Sequence, residues 1–204
     1  MNHFFALPLP EEIRQQLGKL AEDWRGMNQL HASWYAPADY HITLKFLGDV
    51  DPSRQAELIE AALPVVSQMG PFTIDLNSAP GAFPSLRMPR VLWAGAKENE
   101  PTALLAGCLE SAMEPLGFRR ERRQFKAHIT LARCRDLTRD MGHETWTLGL
   151  PGKHAFPIFT ADRFVLLQTL SQKDRVTKGR NGEKLRYNTV HTFPFGKASN
   201  DNIQ

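Results

Sequence analysis

The chain has 204 residues, 42% of them hydrophobic, a net charge of +3 and two cysteines. That is enough apolar material for one sizeable core, which excludes wholesale disorder, while Cys108 and Cys134 are too few for a disulfide framework and lack the spacing of a zinc site. No stretch approaches the roughly 20 apolar residues that span a bilayer, and the opening MNHFFALPLPEE lacks a basic leader and a cleavage pattern, so a cytoplasmic protein with reduced thiols and no membrane association is expected.

In chain order, Asn2–Leu7 reads as a short strand, and Pro10 opens a helix whose Ile13, Leu17, Leu20 and Trp24 recur at helical spacing. Tyr40–Leu47 (YHITLKFL) reads as a strand stopped at Gly48-Asp49. Asp51 and Pro52 then supply the cap and first position of a second helix that carries Leu58, Ile59, Ala62, Leu63 and Val66 inward. Phe72, Ile74 and Leu76 alternate as in a half-buried strand.

The second half begins with an apolar strand at Arg90–Ala96. A helix from Pro101 to Leu116 follows, with Gly117 suited to its terminating position and Leu104, Leu105, Cys108, Leu109, Ala112 and Met113 as its buried face. Phe125–Ala132 (FKAHITLA) is another strand, and strand-like runs follow at 155–160, 163–170 and 185–195, ahead of a polar tail over 196–204.

Both halves run apolar strand, proline-opened helix, then a strand carrying His-Ile-Thr-Leu. This order reads as a diverged duplication within one domain over 1–195, with lobes of about 1–80 and 88–195. Paired βα units with mostly antiparallel strands imply an α+β fold: two lobes related by pseudo-symmetry, with antiparallel sheets lining a central cleft.

Charge is distributed unevenly. Residues 119–126 (RRERRQFK) and 173–186 (KDRVTKGRNGEKLR) together carry +8 and leave the remainder at −5. Charge runs often mark only solvated loops, but this asymmetry favours a polyanionic ligand.

The repeated tetrapeptide carries the chemistry. Residues i and i+2 of a strand share a face, so His41 and Thr43 project together, as do His128 and Thr130, while Ile42, Leu44, Ile129 and Leu131 face the core. Phosphodiester hydrolysis needs a proton taken from attacking water and a proton given to the departing oxygen. Two histidines titrating near neutrality divide that work, with the threonine hydroxyls bonding to non-bridging oxygens. Which histidine is acid and which is base stays open. No compact Asp/Glu/His set has ligand spacing, so no metal and no cofactor are expected. A His-x-Thr pair arises easily by chance, and His143-Glu-Thr145 is such a case. It carries Glu144 where a core-facing residue belongs and lies outside the duplicated framework.

On the strength of FFALPLP, HITLKFLG, PRVLWAG and FKAHITLAR, the chain resembles the two-histidine phosphoesterases, and within them the bacterial RNA 2′,3′-cyclic phosphodiesterase (2′-5′ RNA ligase) family, from Phe4 to about Phe195. The resemblance implies metal-independent hydrolysis of RNA 2′,3′-cyclic phosphate ends to 2′-phosphates, with reversible 2′-5′ ligation. It assigns His41, Thr43, His128 and Thr130 to catalysis, Phe46 to a place near the base and Arg133 to a place near the phosphate. Simple alternation puts Phe46 and Arg133 on the wrong face, so both assignments require a bulge or twist. The segment from Ser171 to Arg186 departs most from the family pattern. Tyr187, Thr189 and His191 would share a strand face and either border the cleft or only pack. The competing readings are a phosphodiesterase acting on 2′-5′-linked oligonucleotides or small cyclic nucleotides, and a non-catalytic RNA-binding module. A monomer is the simplest expectation.

Overall fold

Phe5 and Leu7 point to one side of the first strand, β1 (Asn2–Pro8), Phe4 and Ala6 to the other, and all four are buried. A strand apolar on both faces belongs inside a sheet, and β1 lies between β3 (His41–Asp49) and β9 (Arg163–Thr169). In the computed structural model, which describes residues 1–27, 32–85, 88–134, 156–171, 173–175 and 185–196 (backbone alone at 77–80), the strands form an eight-stranded antiparallel sheet. Its order is β10-β9-β1-β3-β7-β6-β5, with β2 also paired to β7. The remaining members are β2 (Ala32–Trp34), β5 (Leu76–Pro84), β6 (Pro89–Ala96), β7 (His128–Cys134) and β10 (Tyr187–Pro194). A small second sheet pairs β4 (Phe72–Ile74) with β8 (Phe159–Ala161). The fold is α+β.

Three helices share one core with one face of this sheet. From α1 (Glu11–Met27) come Ile13, Leu17, Leu20 and Trp24, from α2 (Gln55–Val66) Leu58, Ala62 and Val65, and from α3 (Glu100–Met113) Leu105, Leu109 and Met113. They meet Phe5, Leu7, Ile42, Leu44, Ile129, Leu131, Phe164 and Phe193 from the strands. Asp51 accepts a hydrogen bond from the Ser53 amide and opens a 3-10 turn, Pro52–Arg54, that runs into α2. Asn99 caps α3 by accepting from the Thr102 amide, and Gly117, at φ 89°, ends the following turn in the left-handed conformation. Two helical positions differ from the sequence-based reading. Leu63 and Leu104 are exposed, because each inward stripe is narrower than its run of apolar residues.

Strands cross the boundary near residues 80–88: β9 pairs onto β1 beside the first motif and carries β10 on its outer edge, while β2 crosses to β7 beside the second. Each half of the sheet therefore contains strand from the other half of the chain. Among the described residues no helix is long and apolar enough to cross a membrane. His143, Thr145, most of the basic run over 173–186 and nearly all of the predicted tail lie outside the described residues.

Candidate active site

The two motif strands, β3 and β7, run antiparallel and pair at Ile42 and Ile129. Both isoleucines are fully buried in the helix-side core, so the residues on either side of each project to the opposite face. The register sets His41 nearest Thr130 and Thr43 nearest His128. His41, Thr43, His128 and Thr130 thus share the face of the sheet away from the helices.

A bulge in each strand then restores the two residues that alternation had misplaced. In β3, Thr43 pairs with Ala6 and Lys45 with Phe5, leaving Leu44 as the extra residue. Leu44 and Lys45 are consequently both buried and Phe46, 59% exposed, returns to the histidine face. In β7, Thr130 pairs with Trp93 and Ala132 with Leu92, leaving Leu131 as the extra residue at the equivalent point of the repeat. Arg133 returns to the same face as Thr130. Burial of Lys45 is compensated by an ion pair to Glu110 and a bond donated to the Arg119 carbonyl.

Each histidine is held in the same way. Nδ1 of His41 bonds to the Asp39 carbonyl at 2.8 Å, and Nδ1 of His128 to the Lys126 carbonyl at 2.7 Å. A carbonyl only accepts, so Nδ1 carries the proton in both rings and Nε2 is left for chemistry. In His41 that nitrogen lies 3.1 Å from Thr43 Oγ1. Burial lowers the proton affinity of both imidazoles. His41 is brought to about 4 by desolvation, against the raising effect of the Asp39 carbonyl, and a charged His128 opposes its protonation further. His128 is lowered too, chiefly by desolvation, against the raising effect of the Lys126 carbonyl.

Aromatic rings wall both imidazoles. Phe4 lies 4.9 Å from His41, and Tyr187 meets it edge-on at 5.2 Å. Phe83 and Trp93 stand 5.0 and 6.0 Å from His128. The Trp93 indole crosses β5 at Gly81, where an added Cβ would sit 2.0 Å from the ring, and the Lys126 ammonium covers it at 4.6 Å. Tyr187 and Thr189 pair with strand residues on the histidine side. A register shift before His191 turns that residue to the opposite face, where it packs on Phe193.

A polar cluster that sequence reasoning missed joins the two motif strands at one end. Tyr35 Oη accepts a bond from Arg133 Nε at 2.9 Å and stands beside the Tyr187 hydroxyl, whose pKa it helps burial to raise, and its ring lies 4.3 Å beneath the Arg186 guanidinium. The Arg186 amide donates to buried Asp39, whose carbonyl holds His41. Among the described residues no three His, Cys, Asp or Glu side chains are grouped to hold a metal ion. In the basic loop, Arg120 and Arg123 are already engaged by Glu114 and Glu121.

An antiparallel sheet presenting paired His-x-Thr tetrapeptides on one face fits the two-histidine phosphoesterase class that the sequence resembles. Known proteins agree. A family model described as LigT like Phosphoesterase matches residues 7–93. An RNA 2′,3′-cyclic phosphodiesterase of Archaeoglobus fulgidus is 35% identical over 135 residues, 66% of this chain and 73% of that protein. The chain belongs to the LigT-like phosphoesterase family. An RNA 2′,3′-cyclic phosphodiesterase of Geobacillus stearothermophilus is 32% identical over 95% of this chain, which spans 57% of that relative's length. Two crystal structures superpose over 96% of this chain and 98% of their own. TT0787 of Thermus thermophilus has a TM-score of 0.73 at 25% identity, and E. coli LigT complexed with 3′-AMP has 0.69, also at 25%.

Proposed function

We propose that the chain hydrolyses 2′,3′-cyclic phosphate ends of RNA to 2′-phosphates, with His41 and His128 as paired proton carriers. The observation that carries this reading is the shared face of the two tetrapeptides, each imidazole tied through Nδ1 to the carbonyl two residues earlier. The two relatives named RNA 2′,3′-cyclic phosphodiesterase support the substrate class.

His41, with its proton affinity depressed to about 4, is neutral and acts as the base toward water. The water oxygen bonds to phosphorus as the P–O3′ bond breaks, and His128, entering as the imidazolium, delivers its Nε2 proton to O3′, leaving a 2′-phosphate and a 3′-hydroxyl. Thr43 and Thr130 donate hydrogen bonds to the non-bridging oxygens, where negative charge grows. Arg133 forks onto the phosphate and Phe46 flanks a base. An RNA 5′-hydroxyl in place of water yields a 2′-5′ linkage by the same bond changes, which is the reverse of 2′-5′ cleavage. We further infer a monomer working in the cytoplasm, consistent with the free thiols of Cys108 and Cys134.

The test is incubation with RNA ending in a 2′,3′-cyclic phosphate in the presence of EDTA, followed by identification of the product isomer. A 2′-phosphate is expected. No turnover, a 3′-phosphate product, or activity lost to chelation and restored by a divalent ion overturns the reading. A small-nucleotide substrate is the second reading, favoured by the E. coli neighbour's complex with 3′-AMP. It requires a cyclic mononucleotide to match RNA in kcat/KM.

A further inference from the structure

Arg133 is an exposed arginine, and a long guanidinium side chain loses considerable rotamer freedom when it is fixed on a ligand. Tyr35 removes much of that freedom in advance. Its hydroxyl takes the Arg133 Nε bond at 2.9 Å, across 98 positions of sequence, which leaves both terminal guanidinium nitrogens unclaimed by this contact. Tyr35 is itself fixed from three sides. Its amide donates to the Leu131 carbonyl at 2.9 Å, its ring is covered by Arg186, and its hydroxyl stands beside that of Tyr187. Tyr187 is the ring that meets His41 edge-on, and Arg186 pairs with Asp39 at 3.8 Å.

We propose that Tyr35 is a positioning residue for substrate phosphate: its hydroxyl pins Arg133 so that the guanidinium fork faces the anion beside His41 and Thr130. Two bulged strands place His41 and Arg133 on one face, but they come from opposite halves of the sheet. Tyr35 bonds to Arg133 of one half and stands beside the Tyr187 wall of the other. Preorganisation of this kind acts on binding and leaves the proton transfers alone. The proposal rests on the reading of Arg133 as a phosphate ligand.

The experiment is a double-mutant cycle with wild type, Tyr35→Phe, Arg133→Ala and the combination. It reads KM and kcat on RNA with a cyclic phosphate end, and the Kd for 3′-AMP by calorimetry. Tyr35→Phe keeps the ring beneath Arg186 and removes only the hydroxyl. KM and Kd should each rise roughly tenfold, the worth of one hydrogen bond to a charged group, with the pH profile of kcat unchanged. In the Arg133→Ala background the same substitution should add nothing. An equal loss in both backgrounds, a loss confined to kcat, or no change overturns the role. If the wild type binds 3′-AMP without turning over RNA, the functional reading fails and the Kd cycle still decides on Tyr35. A wild type that does neither overturns both.

Discussion

Ile42 lies directly opposite Ile129, and this pair is the register contact between the two strands that carry the histidines. Both side chains are fully buried, so the helix-side core fixes how one imidazole sits relative to the other. Acting in one transition state, the two histidines should not contribute independently. His41→Ala and His128→Ala are each expected to lower kcat by roughly 10²–10⁴-fold, the usual yield of general acid–base catalysis. The double variant should lose far less than the product of the single losses. Near-normal turnover by either single variant would contradict the paired mechanism.

The depressed proton affinity of His41 has a stability counterpart. Its folded value of about 4 lies below the ordinary 6.5, so between these values the unfolded chain holds a proton that the folded chain lacks. The contribution is fully present above pH 6.5 and is lost as pH falls toward 4, amounting to roughly 3 kcal/mol at the limit. His128 shifts in the same direction and adds to the slope. Urea midpoints measured from about pH 7 to about pH 4.5 should fall, and His41→Gln should flatten part of that fall. A wild-type midpoint constant across this range would refute the assignment.

Gly81 and Gly107 should respond oppositely to alanine. At Gly81 the new Cβ would collide with the Trp93 indole, which borders His128. Gly81→Ala should therefore destabilise by about 1–3 kcal/mol and reduce turnover by displacing that wall. Nothing lies within 4 Å of a Cβ at Gly107, which is inside α3, so Gly107→Ala should stabilise by about 0.5–1 kcal/mol through helix propensity. Thermal melts of the two variants, with activity measured alongside, check both signs.

The basic loop is partly neutralised by its own acids, since Arg120 and Arg123 sit on Glu114 and Glu121. Neutralising Arg119 and Arg122 should accordingly remove most of the loop's contribution to long-RNA binding and flatten its salt dependence. Turnover of a cyclic mononucleotide should barely change. Equal losses on both substrates would mean that the loop shapes the reacting centre instead.

Much of the histidine face was legible because identical tetrapeptides on apolar strands fix their own orientation: isoleucine and leucine go in, histidine and threonine go out. The bulges were harder to read. Leu131-Ala132 breaks alternation visibly, but in the first copy the break is hidden by Lys45, a charged residue buried only because Glu110 and the Arg119 carbonyl receive it. Tyr35 left no signal at all. Its function in the fold depends on Arg133 and Tyr187, both distant in sequence, and β2, which leads into it, is a three-residue strand. The exchange of strands between the halves was equally silent, since apolar alternation says that a strand pairs but not with which neighbour.

That exchange bears on how the protein is made. β1 leaves the ribosome long before one of its two neighbours, β9, which begins at Arg163, roughly 150 residues later. At synthesis rates of about 5–20 residues per second, the open edge of His3-Phe4-Phe5-Ala6 waits on the order of ten seconds for its partner. During synthesis, that apolar strand presents an unpaired edge for a chaperone to cover.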